Sequence, residues 1–193
     1  MSRVFVITGP SGVGKGTLIR GLLAREPEVE LSVSATTRPP RPGEQDGREY
    51  HFLSDAEFDR RLEVGEFVEH ASYSGHRYGT LRPELERRAS AGVPVVLEIE
   101  VQGARQVRER VPGAVEVFIA PPSLEALETR LVGRGTDTPE QVAARLATAR
   151  EELAAQREFT RVIVNDRLEK AVGELVSIVH ASLQDAGDRG PDR

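Results

Sequence analysis

The sequence predicts an α/β fold of three layers, in which a mostly parallel central sheet is covered by helices on both faces. An inserted mixed lobe and a helical lid complete it. Three observations carry this expectation. Short apolar runs alternate with helical segments along the chain, the pattern that builds parallel sheets. The first of those runs leads straight into a glycine-rich turn and then a helix. Residues 34–84 break the alternation with a different rhythm, which marks an insertion.

Each element follows in order. Val4-Phe5-Val6-Ile7-Thr8 is a continuous apolar run of the kind that fills a strand buried on both faces. A helix is expected over residues 17–24, a second strand over 95–100 and a helix over 104–110. The third strand, at 115–120, is stopped by Pro121-Pro122. Ser123 caps a helix that runs to about Val132, with Gly133 as its terminator. Thr138-Pro139-Glu140-Gln141 joins a capping box to a proline at the first helical position, so a long helix runs to about Arg157. Val162-Ile163-Val164 is a fourth strand, residues 168–183 form a closing helix, and residues 184–193 are a polar, disordered tail. Within 34–84, Ser54-x-x-Glu57 opens a short helix, followed by Phe67-Val68-Glu69 and the glycine-punctuated stretch 73–80. The expected division is a core at 1–33, 85–120 and 151–183, a lobe at 34–84 and a lid at 121–150. The tail is set at 184–193.

Composition narrows the function. A chain of 193 residues suits one core with inserted lobes, since single cores stop growing near ~250–300 residues. Apolar residues at 38% and charged residues at 30% match a globular chain and not a disordered one. The net charge of −5 argues against nucleic-acid binding, which takes a basic excess. No apolar run approaches the ~20 residues of a membrane helix, and Met1-Ser2-Arg3 with its short strand lacks a signal peptide's apolar stretch. The absence of cysteine excludes a thiol nucleophile and a zinc–thiolate site. A cytoplasmic enzyme or binding domain is expected. Lys15 and Lys170 are the only lysines among 26 basic residues. An arginine cluster alone therefore says little, and a lysine at a required position says much.

Lys15 occupies such a position, in Gly9-Pro10-Ser11-Gly12-Val13-Gly14-Lys15-Gly16-Thr17. Glycines let the backbone wrap closely around a phosphate, its N–H groups converge on the oxygens, and the following helix presents its positive end. The lysine supplies a point charge for the β- and γ-phosphates. Glycine stands directly after the lysine, and the hydroxyl comes one residue later, at Thr17. This departure resembles the phosphate loop of some nucleoside monophosphate kinases.

The stretch Thr36-Thr37-Arg38-Pro39-Pro40-Arg41-Pro42-Gly43-Glu44-Gln45-Asp46-Gly47-Arg48-Glu49-Tyr50-His51-Phe52-Leu53 resembles the guanylate kinase signature. The likeness continues through Gly65-Glu66-Phe67-Val68-Glu69, Tyr78-Gly79-Thr80, Leu97-Glu98-Ile99-Glu100-Val101-Gln102-Gly103, residues 130–136 and Val164-Asn165-Asp166. It spans residues 3–183, in order. The resemblance implies transfer of a phosphoryl group from ATP to GMP, and to dGMP, with magnesium required.

It also implies roles for single residues. Arg38 and Arg41 fork onto the acceptor monophosphate, with Ser34, Tyr50 and Tyr78 adding hydrogen bonds. Glu69 accepts from guanine N1–H and the exocyclic amine, and the Thr80 hydroxyl serves O6. Thr17 and Glu98 lie near the magnesium ion and Glu100 near the acceptor nucleotide; relatives carry aspartate at position 100. Arg130, Arg134 and Arg145 gather around the transferring phosphoryl, and Asn165 places the adenine edge. Two other readings stay open. One is a kinase for a different monophosphate, which Glu69 and Thr80 argue against. The other is a guanylate-kinase-like scaffold that binds phosphopeptides; such modules characteristically lack the phosphate-loop lysine and lid arginines present here.

Overall fold

The computed structural model describes residues 3–73, 75–133 and 138–188. In chain order the core begins with β1 (Val4–Thr8), α1 (Lys15–Arg25) and β2 (Glu30–Leu31). A second group follows: β3 (Ala35–Thr36), β4 (His51–Phe52), α2 (Asp55–Glu63), β5 (Phe67–Tyr73), β6 (His76–Leu81) and α3 (Arg82–Ser90). The chain then returns through β7 (Val95–Glu98), α4 (Val101–Arg110), β8 (Val115–Ala120), α5 (Leu124–Val132) and α6 (Pro139–Ala154). A short 3-10 turn (Ala155–Glu158), β9 (Val162–Val164) and α7 (Leu168–Asp188) close it.

The central sheet has the order β2-β7-β1-β8-β9, and every pair in it is parallel. Successive side chains of a strand point to opposite faces, and both faces here are apolar. Phe5, Ile7, Val96, Val117, Ile119 and Ile163 pack with residues of α1, α5, α6 and α7. Val4, Val6, Val95, Leu97, Phe118 and Ala120 pack with α4 and with Leu85 of α3. The sheet is thus the middle of three layers, as the apolar runs predict.

Several boundaries differ from expectation, each for a local reason. Helix α1 starts at Lys15, two residues early, because Gly14 takes the left-handed conformation (φ 101°) and turns the chain directly into it. Strand β7 ends at Glu98 and not at residue 100, because its pairing with β1 stops there. Ile7 pairs with Glu98, and the Ile99 N–H makes the last bond, 3.3 Å to Ile7 O. Glu100 is therefore the N-cap of α4, which begins at Val101 rather than 104. Helix α6 stops at Ala154, short of residue 157, where the 3-10 turn takes over. Helix α7 continues to Asp188, so residues 184–188 of the expected disordered tail are helical; 189–193 lie outside the described residues. The expectations do not contain β2 or α3. The first is two exposed residues, and the second buries only Leu85 and Arg88, so neither carries an apolar period.

The second sheet has the order β4-β3-β6-β5; β3–β4 is parallel, and the β3–β6 and β6–β5 pairs are antiparallel. It has its own small core of Ala35, Phe58, Phe67 and Leu81, with the Phe58 and Phe67 rings stacked 4.4 Å apart. Strand β5 is an edge of that sheet, and an edge leaves backbone groups unpaired. Helix α4 supplies the partners. Gln106 Nε2 donates to His70 O at 2.7 Å, and Gln106 Oε1 accepts from His70 N at 3.3 Å. Arg110 Nη1 donates to Val68 O at 2.8 Å. The inserted sheet is thereby pinned beside the carboxyl ends of β1 and β7.

Gly9 tests how tightly the turn after β1 is fitted. Its φ is 136°, and a Cβ there would lie 2.2 Å from the Ile119 carbonyl oxygen, a backbone atom inside the central sheet. Strain plus overpacking predicts that Gly9→Ala costs roughly 2–5 kcal/mol and lowers the melting temperature by roughly 5–15 °C. Thermal unfolding followed by circular dichroism checks this; a variant within about 2 °C of wild type would show that the turn has room.

Candidate active site

Ligands of open α/β sheets bind outside the carboxyl ends of the strands, and a cavity of ≈ 610 Å³ opens there. Residues Pro10, Ser11, Gly12, Gly14, Lys15, Gly16 and Thr17 line one end, and Ser34, Arg41, Tyr50, Glu69 and Tyr78 line the other. Glu98 and Glu100 stand between them. A second cavity of ≈ 730 Å³ adjoins it between the inserted sheet and α6, and holds Arg38, Arg41, Tyr78, Glu100, Arg145 and Glu152.

At the loop end, the Lys15 ammonium donates to Gly9 O at 2.5 Å and to Pro10 O at 3.3 Å, which folds it over the loop. Val13 is buried, and its carbonyl is held from two directions. Asn165 Nδ2 donates to it at 2.8 Å and Arg130 Nη1 at 3.2 Å, while Arg130 Nη2 donates to Asn165 O at 2.8 Å. Asn165 and Arg130 thus brace the loop from beneath and line neither cavity. Arg145 of α6 reaches the loop from above, donating to Ser11 Oγ at 3.2 Å. Arg134 lies outside the described residues, past the end of α5 at Val132.

At the far end, Glu69 of β5 is buried beside Thr80 of β6, whose hydroxyl donates to Glu69 Oε1 at 2.8 Å. Burial pushes the Glu69 carboxyl up to about 7, and the Thr80 hydroxyl and N–H only partly offset it. Thr80 is fully buried behind Glu69 with its proton committed there. Arg38 and Arg41 are organised by Glu44. Its Oε1 takes the Arg38 guanidinium at 2.9 Å and its Oε2 takes the Arg41 backbone N–H at 2.7 Å. The Arg38 guanidinium also lies over the Tyr50 ring, 5.4 Å from its centre, and Tyr50 meets Tyr78 edge-on at 6.0 Å. Burial raises the Tyr50 phenol, and the charge on Glu98 adds to it.

Between the two ends lies a set of carboxyls with raised pKa values. Burial pushes Glu100 up to about 7, and repulsion from Glu152 reinforces it while Lys15 opposes. Glu152 is raised for the same reason, with Lys15 and the Ser11 N–H pulling the other way, and its Oε2 has no hydrogen-bond partner. Glu98 opens to the cavity's water, yet the surrounding protein still raises it against the pull of Lys15 and Arg20. The sequence reading did not single out Glu44, Glu152 or Arg20. Each had a signal: Glu44 sits three residues after Arg41, where a carboxylate caps a turn. Glu152 lies two helical turns after Arg145 on the same face of α6. Arg20 follows Thr17 by three on α1 and donates to its hydroxyl at 3.1 Å.

Comparison with known proteins adds the family. A family model described as guanylate kinase matches residues 1–182. The guanylate kinase of Frankia casuarinae is 56% identical over 177 residues, which cover 92% of this chain and 96% of the relative. That of Thermobifida fusca is 54% identical over 179 residues, covering 93% and 91%. Among solved structures, the guanylate kinase from Anaplasma phagocytophilum superposes with a TM-score of 0.74 at 33% identity, covering 93% of this chain and 85% of that one.

The raised Glu69 carboxyl has a consequence for stability. The folded chain holds this proton up to about pH 7, whereas an unfolded glutamate releases it near ~4.3. Between those values the native state binds more protons, so stability falls as pH rises across that window. Glu69→Gln removes the penalty. The variant is expected to be more stable than wild type at pH 8 by up to ~3 kcal/mol, with the gap closing toward pH 4. Chemical denaturation at the two pH values measures it; a Glu69→Gln protein no more stable than wild type at pH 8 would contradict the assignment.

Proposed function

The chain belongs to the guanylate kinase family, and we propose that it transfers the γ-phosphoryl group of ATP to GMP across the cavity described above, giving ADP and GDP. The observation that carries this is a single cavity with a phosphate loop at one end and a buried carboxylate among arginine and tyrosine at the other. ATP phosphates sit on residues 9–17, and GMP sits on Ser34, Arg38, Arg41, Tyr50, Tyr78, Glu69 and Glu100, with Thr80 supporting Glu69. The residues named for GMP address its base and phosphate, which dGMP shares, so dGMP is a second acceptor.

Glu69 supports guanine over the other bases. Guanine presents two adjacent donors, N1–H and the 2-amine, to a carboxylate with two acceptor oxygens. Adenine offers neither donor there and leaves a buried carboxylate unpaired, which is costly. Thr80 serves the base through Glu69, since it fixes Oε1. No nucleophile–base pair is required. The acceptor phosphate has a second pKa of ~6 and is already largely ionised at pH 7. The work left is to align two polyanions and offset their repulsion. Lys15 does this from the loop, and Arg38 and Arg41 from the inserted lobe at 34–84. Arg130, Arg134 and Arg145 do it from a lid spanning 121–150. Asn165 acts on the loop through Val13 and borders the adenine side.

The donor set near the loop fits Mg²⁺ bound with the nucleotide. Glu98 oxygens lie 3.5 and 3.6 Å from where a Gly16 Cβ would stand, beside the start of α1 and Thr17. One carboxylate and one hydroxyl suit an ion that keeps phosphate and water as its other ligands. Thr17 and Glu98 would hold it, directly or through water, and it would neutralise charge on the transferring phosphoryl. Among the described residues no helix is long and apolar enough to cross a membrane; we place the enzyme in the cytoplasm, acting on free nucleotides rather than on nucleic acid or lipid.

Two kinetic expectations test this reading in a coupled ADP-release assay run with GMP, dGMP, AMP, UMP and CMP. Lys15→Ala lowers kcat by orders of magnitude while the fold survives; a variant that keeps more than about a tenth of wild-type kcat would remove Lys15 from its role. Glu69→Gln turns one acceptor into a donor that faces a donor on guanine. It is expected to lower kcat/KM for GMP by ~10³-fold or more with the ATP KM unchanged. Thr80→Val, which loses one hydrogen bond, costs ~5–100-fold. GMP turnover by Glu69→Gln at wild-type efficiency would place base selection elsewhere.

A further inference from the structure

The first turn of α4 passes directly behind the Glu69 carboxylate. A Cβ at Gly103 would lie 2.4 Å from Glu69 Oε2, 3.1 Å from the carboxyl carbon and 3.4 Å from Ile99 Cδ1. Gly103 has no left-handed backbone to require glycine, and in a helix glycine costs ~1 kcal/mol relative to alanine. The conformation does not account for glycine here, and the neighbouring carboxylate does.

That carboxylate has little freedom to move aside without consequence. Thr80 holds Oε1 at 2.8 Å, and the residues on both sides of Glu69 are tied to α4, Val68 through Arg110 and His70 through Gln106. Strand and helix are therefore locked at one separation, and the residue at position 103 fills the gap between them. We propose that Gly103 is a specificity-determining positioning residue. Its missing side chain sets the depth at which the Glu69 carboxylate stands, and so the alignment of both oxygens with the two donors of a guanine base. This rests on the reading of Glu69 as the base acceptor.

The atom that a new methyl group would strike is the end of a side chain, not backbone. The fold can absorb the clash by swinging the carboxylate by about an ångström, but a hydrogen-bonded substrate cannot, since misplacement of that size costs up to ~10²-fold. The penalty falls on GMP and spares folding.

The test compares Gly103→Ala, Glu69→Asp, the double variant and Glu69→Gln in steady-state assays with GMP, IMP (which lacks the 2-amine) and ATP, together with melting curves. Gly103→Ala is expected to raise the KM for GMP ~10–100-fold with kcat and the ATP KM within about twofold of wild type. Its preference for GMP over IMP falls toward that of Glu69→Gln. The double variant is no worse than Glu69→Asp alone, because the shorter carboxylate has already withdrawn from the methyl. If Glu69→Gln loses GMP and Gly103→Ala keeps the wild-type KM, the inference falls and the role of Glu69 stands. If Glu69→Gln is indifferent to the base, both fall. A Gly103→Ala protein that unfolds, or that loses kcat and ATP affinity along with GMP, also overturns it, since the glycine then serves packing alone.

Discussion

The site depends on one junction, the start of α4. There the carboxyl end of β7 delivers Glu98 and Glu100 to the cavity, and the next two turns of helix hold an edge strand of a different sheet. Gln106 takes the place of a neighbouring strand by offering an amide donor and acceptor to His70. Without it, β5 would expose peptide groups at the boundary between the two sheets, and exposed edges invite unwanted pairing. The same contact that satisfies the edge also fixes Glu69 relative to the phosphate loop, which hangs from β1 one strand away. Structural satisfaction and the spacing between the two ends of the cavity are therefore the same constraint.

Electrostatics in the cavity run against first intuition. A site for two polyanions contains Glu69, Glu98, Glu100 and Glu152, all with carboxyls raised by burial. Two of them, Glu69 and Glu100, sit near 7, so the cavity carries less negative charge than its composition suggests. A raised carboxyl is also a responsive one. On the proposed reading, guanine donors favour the ionised form of Glu69, while the acceptor phosphate disfavours ionisation of Glu100. Lys15, which opposes the rise at Glu98, Glu100 and Glu152, is the shared counter-charge. As the N-cap of α4, Glu100 makes no side-chain bond to the helix. Its side chain is free to reach the cavity.

Much of this was legible in the chain. Four of the five core strands, the phosphate loop, the capping box at Thr138 and the lobe's residue pattern follow from apolar runs, glycine spacing and cap chemistry, which are local properties. Elements that escaped notice draw their stability from elsewhere. Strand β2 exists because β7 pairs with it, and α3 exists because Arg88, buried, ties it to Glu30 of β2. Nothing within residues 82–90 encodes that. Within the site, residue types were readable and partners were not. Arg38 could be named from its motif, but its hold on Glu44 required the folded loop. Thr80 could be named as a base contact, yet its hydroxyl turns toward Glu69. Gly103 reads as part of a motif, and only the packing of α4 on β5 reveals what its missing side chain makes room for.

The loop end shows how one arginine can tie separate segments of the chain together. Arg130 spends two donors on the carbonyls of Val13 and Asn165, and Asn165 spends its amide on Val13 as well. These bonds join α5, the segment after β9 and the phosphate loop into one unit. Glycine at position 14 belongs to the same packing, because a Cβ there would lie 2.6 Å from the Asn165 amide nitrogen. Arg145, by contrast, comes from α6 and reaches the loop at the Ser11 hydroxyl, 3.2 Å away. That difference separates the two residues physically, although both are arginines on consecutive helices, α5 and α6.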